Sequence, residues 1–276
     1  MHRALPARRR TARPLGAVAA LVLVPLLAAG CGDDGGDAGA EETETVFVDQ
    51  DGNVIDDDGS EDDSDDDAGP ALTEEQLAVV VLTQENLGDG WTGGPVEDDD
   101  DDEGTAPGCF DELGTISDSL DDQEVAEHDA EYSYGETGLP SVESGSVSFV
   151  EAAPVAEAFT QIKDVLSTCT TVTGADSNGT EWDVTVTYDD TVVSDATDEQ
   201  VNYTAAGTLT DTEGNSFEIS VHATLVRIGR NVIDITTTAF EDQSVLHDAA
   251  VGIGIDRLVS VIIDSEPSET TAPAPA

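Results

Sequence analysis

The chain has 276 residues, 61 of them Asp or Glu against nine Lys or Arg, and a formal net charge of -52. So acidic a surface excludes nucleic acid as a partner, because phosphates demand basic contacts, and it excludes electrostatic adhesion to anionic lipid. Five of the nine cations, Arg3, Arg8, Arg9, Arg10 and Arg13, lie ahead of residue 14; beyond them only Lys163, Arg227, Arg230 and Arg257 remain.

Those arginines precede an apolar stretch, Pro14 to Gly30, that ends in small residues and Cys31. A basic head, an apolar middle and small residues before a cysteine form an export-signal pattern, predicted here for residues 1–30. The stretch falls short of the roughly 20 apolar residues a membrane span needs, and Pro25 interrupts it. Leu27-Ala28-Ala29-Gly30-Cys31 resembles the bacterial lipobox. That resemblance implies cleavage before Cys31, a diacylglycerol on its thiol with palmitate-type chains, and a place on the extracytoplasmic face of the cell membrane. Two acyl chains anchor stably where one holds marginally. Arg8 and Arg9 leave twin-arginine export open beside the general route.

From Cys31 to Pro70 the chain is dominated by Asp, Glu, Gly and Ser, as in DDDGSEDDSDDDAG. It has too little apolar surface to offset its ordering entropy, so residues 31–70 are expected to be a disordered tether reaching at most about 130 Å. Asp49-Gln-Asp51-Gly-Asn53 has the alternating oxygens of a calcium loop, but its glycine is displaced and its twelfth position is Ser60. Glu97 to Glu103 is a second acidic run that reads as a solvated loop. No metal site and no cofactor are assigned.

With Cys31 lipidated, Cys109 and Cys169 remain as an even pair in an oxidising compartment, where a disulfide is expected. The segment 71–266 turns globular and is long enough for one core; residues 267–276 are expected to fray. Thr73-Glu-Glu-Gln76 opens a helix running towards Gly88. Period-two alternation predicts strands at Ala126–Tyr134 and Ser141–Glu151, and a helix follows from Pro154 to Leu166 that delivers Cys169 towards Cys109. Four more strands are expected at Glu181–Tyr188, Gln200–Thr210, Ser216–Ile228 and Asn231–Phe240, then a helix at Ser244–Ile263. Keeping Leu225 beside Ile233 or Ile235 calls for a three-residue turn at Gly229. The expected class is α+β: one domain, a mainly antiparallel sheet, helices largely on one face, one disulfide.

Catalysis needs a nucleophile, a base or a metal cluster. Beyond the export segment the histidines are His128, His222 and His247, with no His-x-x-x-His, Cys-x-x-Cys or Gly-x-Ser-x-Gly spacing. The chain therefore reads as a non-enzyme. Opposite the apolar sets lie Thr185, Thr187, Thr204, Thr208, Ser220, His222, Thr224, Asp234 and Thr236, a polar strand face that could line a ligand groove or simply be wet. Arg227 and Arg230 either pair with carboxylates around Gly229 or meet an anionic ligand group. His222, Asp234, Thr224, Thr236, Arg227 and Arg230 are the candidate ligand-binding residues.

The helix ending in Thr168-Cys169-Thr170, the paired cysteines, and VRIGRNVIDITT (Val226 to Thr237) followed by a terminal helix resemble the PknH-like extracellular sensor domain of actinobacteria. That family occurs on receptor kinases and as free-standing lipoproteins. The resemblance spans roughly Leu72 to Ile263 and implies an α+β domain with a ligand cleft and a Cys109 to Cys169 bridge. The leading expectation is a membrane-anchored lipoprotein with a non-catalytic ligand-binding or sensor-like domain, its partner a small molecule, glycan or protein. A structural cell-envelope lipoprotein is the alternative, and a secreted hydrolase the third.

Overall fold

The structure is a computed structural model that describes residues 68–96 and 106–275. The export segment, Cys31, the tether up to residue 67, the Asp49-to-Asn53 phrase and the Glu97-to-Glu103 run lie outside the described residues.

In chain order the elements are α1 (Glu74–Val80), α2 (Gln84–Leu87), β1 (Trp91–Pro95), α3 (Cys109–Asp118), β2 (Glu124–Tyr134), β3 (Ser141–Phe149), α4 (Ala152–Thr168), β4 (Thr171–Ala175), β5 (Glu181–Asp189), β6 (Glu199–Thr210), β7 (Ser216–Ile228), β8 (Asn231–Ala239) and α5 (Ser244–Ile262). The strands form one sheet in the order β1-β2-β3-β8-β7-β6-β5-β4, and every neighbouring pair is antiparallel. Two meanders, β1 to β3 and β4 to β8, are thus joined where β8 pairs with β3, and α4 makes the crossover between them.

Two apolar cores lie on opposite faces. Leu72, Leu77, Leu82, Trp91, Tyr132, Val142, Ile233, Ile235 and Leu258 form one, beneath α1, α2 and α5. Phe110, Leu113, Val147, Phe159, Leu166, Trp182, Tyr203, Leu225 and Val232 form the other, beneath α3 and α4. The α+β class, the antiparallel sheet and the disulfide agree with expectation. The helices divide between the two faces, where the apolar pattern had put them mainly on one. Every residue of β8 is buried as a result, so its alternation separates two cores and has no outward side.

This double burial decides the β7–β8 register. The turn is the two residues Gly229 and Arg230, with Ile228 opposite Asn231 and Leu225 opposite Asp234. The expected three-residue turn is overturned because Leu225 and the isoleucines of β8 belong to different cores. Gly229 has φ +63°, and a Cβ there would lie 1.9 Å from the Ala68 carbonyl oxygen.

The expected first helix is two. Thr73 caps α1, with Gln76 completing a capping box, but Val81 is extended and Asn86 accepts from the Thr83 backbone N–H to start α2. The break lets the Leu82 N–H donate to Ser144 Oγ at 3.2 Å, and Ser146 Oγ donates to the Leu77 carbonyl. Leu72 N–H donates to Ser148 Oγ, which donates in turn to Asn231 Oδ1. Serines of β3 therefore fasten the entire N-terminal segment to the sheet.

The folded part extends at both ends beyond the expected 71–266. Ala68 is buried and its carbonyl accepts from Arg230 N–H. In the stretch expected to fray, Ala272 N–H donates to the Asn86 carbonyl, Asn86 Nδ2 to the Thr270 carbonyl, and Ser268 N–H to Asp256. No helix among the described residues is long and apolar enough to cross a membrane.

Candidate functional site

His222 and Thr224 stand on the α5 side of the sheet, opposite Thr237 and Ile235. Asp234 and Thr236 stand on the α4 side, opposite Leu225 and Ala223. The single polar face expected to hold all four does not exist, for the same register reason.

On the α5 side the polar groups are mutually satisfied. Thr224 Oγ1 donates to Asn202 Oδ1 at 3.0 Å and lies 2.9 Å from His247 Nε2, while Thr237 Oγ1 lies 3.1 Å from His247 Nδ1. With its own proton committed to Asn202, Thr224 accepts from His247 Nε2–H, and Thr237 donates to Nδ1; the geometry assigns a neutral imidazole. Burial and the neighbouring His222 push the His247 pKa down to about 3, in accord with that tautomer. His222 Nε2 reaches Asp242 at 2.9 Å. Covered by α5 and internally paired, this group fixes the helix to the sheet.

The arginines flank the turn. Arg227 donates through Nε to Glu199 at 2.8 Å and through Nη1 to the Gly229 carbonyl at 2.7 Å, and Asp198 is 3.5 Å away. Glu199 also holds Lys163 at 2.8 Å. Arg227 therefore takes the carboxylate-pairing role. Arg230 donates to the Val150 carbonyl, tying the turn to the end of β3.

The α4 side of β2, β3 and β8 is different. Strand register sets Asp129, Gly145 and Asp234 in one row, Glu131, Glu143 and Thr236 in the next, and Ser133, Ser141 and Thr238 in a third. A Cβ on Gly145 would lie 2.2 Å from Asp234 Oδ1 and 2.7 Å from Asp129 Oδ1, so the two carboxyl groups converge over the bare Cα, less than about 5 Å apart. Asp234 is 8% exposed, and burial, reinforced by Asp129, raises its pKa to about 7. Burial and then the charges of Asp234 and Glu143 raise that of Tyr203, which lies beyond Ala223 in the Thr236 row.

The hydroxyls of Ser141, Thr236 and Thr238 are buried with no hydrogen-bond partner. Ser141 and Thr238 face one another across the strands yet do not pair. Orphaned buried hydroxyls are costly, so three in adjacent rows mark a place prepared for something polar. Next to these rows an apolar crevice of about 40 Å³ lies beneath α4, lined by Val147, Phe149, Phe159, Leu225 and Val232 and by the polar residues Ser117 and Asp234. Among the described residues no three His, Cys, Asp or Glu side chains converge to hold a metal ion.

Neither a known protein family nor a curated protein matches the chain in sequence. A solved structure similar to it is the extracellular domain of PknH from Mycobacterium tuberculosis, with 13% identity, a TM-score of 0.47, and coverage of 71% of this chain and 100% of that one. The similarity is distant.

Of the six candidate ligand residues, the structure brings Asp234 and Thr236 together in the groove. It places His222 and Thr224 behind the sheet and Arg227 and Arg230 at its turn. Sequence reasoning missed Asp129, Gly145, Glu143, Ser141, Thr238 and Tyr203, which join the site only through the β2–β3, β3–β8, β6–β7 and β7–β8 pairings. The usable signal was a glycine amid the alternating serines of β3, at a position with no turn to explain it.

Proposed function

We propose that the chain is a lipid-anchored extracytoplasmic module without catalytic activity, whose folded part binds a ligand in the carboxyl and hydroxyl groove of β2, β3 and β8. The observation that carries this reading is the set of three partnerless buried hydroxyls beside the Asp129–Asp234 pair. A bound polar ligand supplies the missing partners and offsets the desolvation of Asp234. Anchoring rests on the lipobox-like sequence at Cys31, and the Cys109–Cys169 disulfide suits an oxidising compartment.

The structural-lipoprotein reading is favoured for the other side of the sheet, where His222, Thr224 and His247 are covered and paired. The two readings divide by face. Thermal-shift screening of the full chain, purified in detergent, against envelope metabolites, glycans and peptides tests the binding reading. A ligand that raises the wild-type melting temperature and leaves Thr236→Val unshifted supports it; a library with no such ligand favours a structural role.

A further inference from the structure

Building on the reading of this groove as a ligand site, we propose that its ligand is a protonated alkyl amine, the ammonium seated between Asp129 and Asp234 over Gly145 and the apolar chain in the crevice beneath α4. The argument begins with charge. Two carboxyl groups converging over a glycine repel each other when both are ionised, and a single cation between them relieves both. An anion or a neutral sugar leaves that repulsion in place.

Coordination number then separates the cations. Calcium takes six to eight oxygens and magnesium a near-octahedral set, whereas no three acidic or histidine side chains converge among the described residues. An ammonium needs only three acceptors. Asp129 and Asp234 provide two, and Thr236 Oγ1, buried without a partner in the adjacent row, provides the third.

The rest of the ligand follows from the walls. Asp234 lines the crevice, and apart from Ser117 its other walls are apolar, with Val147, Phe149, Leu225 and Val232 contributed by the strands. Ser117 alone among those walls could serve a hydroxyl of a sugar or an amide of a peptide, while methylene groups gain on burial. Polar head and apolar channel meet at one carboxyl group, the arrangement an aliphatic amine satisfies.

The test is calorimetric titration of the full chain with n-pentylamine, with pentan-1-ol and calcium chloride in parallel, on wild type, Asp234→Asn and Asp129→Asn. Both variants keep the side-chain shape and remove the charge. The expected result is saturable binding of pentylamine to wild type, weakened about tenfold or more in each variant, and no saturable binding of pentanol. Equal binding of pentylamine to wild type and Asp234→Asn, its failure to bind, or calcium binding that requires Asp234 overturns the proposal. If pentylamine fails while a glycan or peptide binds in an Asp234-dependent way, the amine assignment falls and the groove stands. If no compound binds in that way, both fall.

Discussion

Asp234 and His247 lie on opposite sides of one sheet and drive stability in opposite directions as pH changes. Asp234, raised to about 7 from 3.8, stays neutral in the fold while the unfolded chain ionises. Its contribution is present below about pH 4 and lost as pH rises to 7, an effect on the order of 4 kcal/mol. His247, lowered from 6.5 to about 3, stays neutral in the fold while the unfolded chain takes up a proton. Its contribution is present above pH 6.5 and lost as pH falls towards 3. Over the shared window the two slopes cancel. Denaturation across a pH series is expected to show Asp234→Asn losing stability on acidification faster than wild type, and His247→Gln losing it more slowly. Profiles parallel to wild type would contradict both assignments. This balance was not legible in the sequence. Asp234 read as the one carboxylate of a polar strand face, which hid its burial, and His247 as one histidine among three, its partners Thr224 and Thr237 coming only with the packing of α5.

At the level of elements, alternation located β2, β3 and β5 to β8, most plainly β5, where Trp182, Val184, Val186 and Tyr188 hold every second position. It did not find β1, an edge strand in which Gly93, Gly94 and Pro95 break the pattern begun by Trp91 and Thr92, nor the five-residue β4. It also passed over α3, despite Phe110, Leu113 and Ile116 at helical spacing. The helix break after Val80 was hidden because its cause is tertiary: the serines of β3 bind the exposed backbone of the break. Replacing Ser148 with Ala leaves the Leu72 N–H without a buried acceptor and is expected to cost about 1–3 kcal/mol, read from a urea transition. The Cys109–Cys169 bond joins the start of α3 to the end of α4 across 60 residues. Removing both cysteines together is expected to lower stability by about 4 kcal/mol and the melting temperature by roughly 10 °C.

For the whole molecule, the two cores explain why the fold class was legible and the site only partly so. The hydrophobic pattern marks each strand as buried, but it cannot say which of two cores a given residue enters. Asp234 and His222 were therefore assigned to one groove although the sheet separates them. Anchoring is testable apart from the fold. Cys31→Ala is expected to move the protein from the membrane fraction to the soluble one while leaving its melting temperature unchanged; retention at the membrane would count against lipidation.

The first described residues enter the domain at the middle of the sheet. Ala68 and Pro70 are held at the β7–β8 turn and beside β3 by bonds from Arg230 N–H and Asn231 Nδ2, and Leu72 is held by Ser148. Under the proposed anchoring, tension from the membrane side would be delivered to the middle of an eight-stranded sheet, where several ladders share the load, and the rims at β1 and β4 would be spared. A pull from that side would load the Ala68 and Pro70 bonds first and the serine fastenings after them, on the opposite side of the sheet from Asp129 and Asp234.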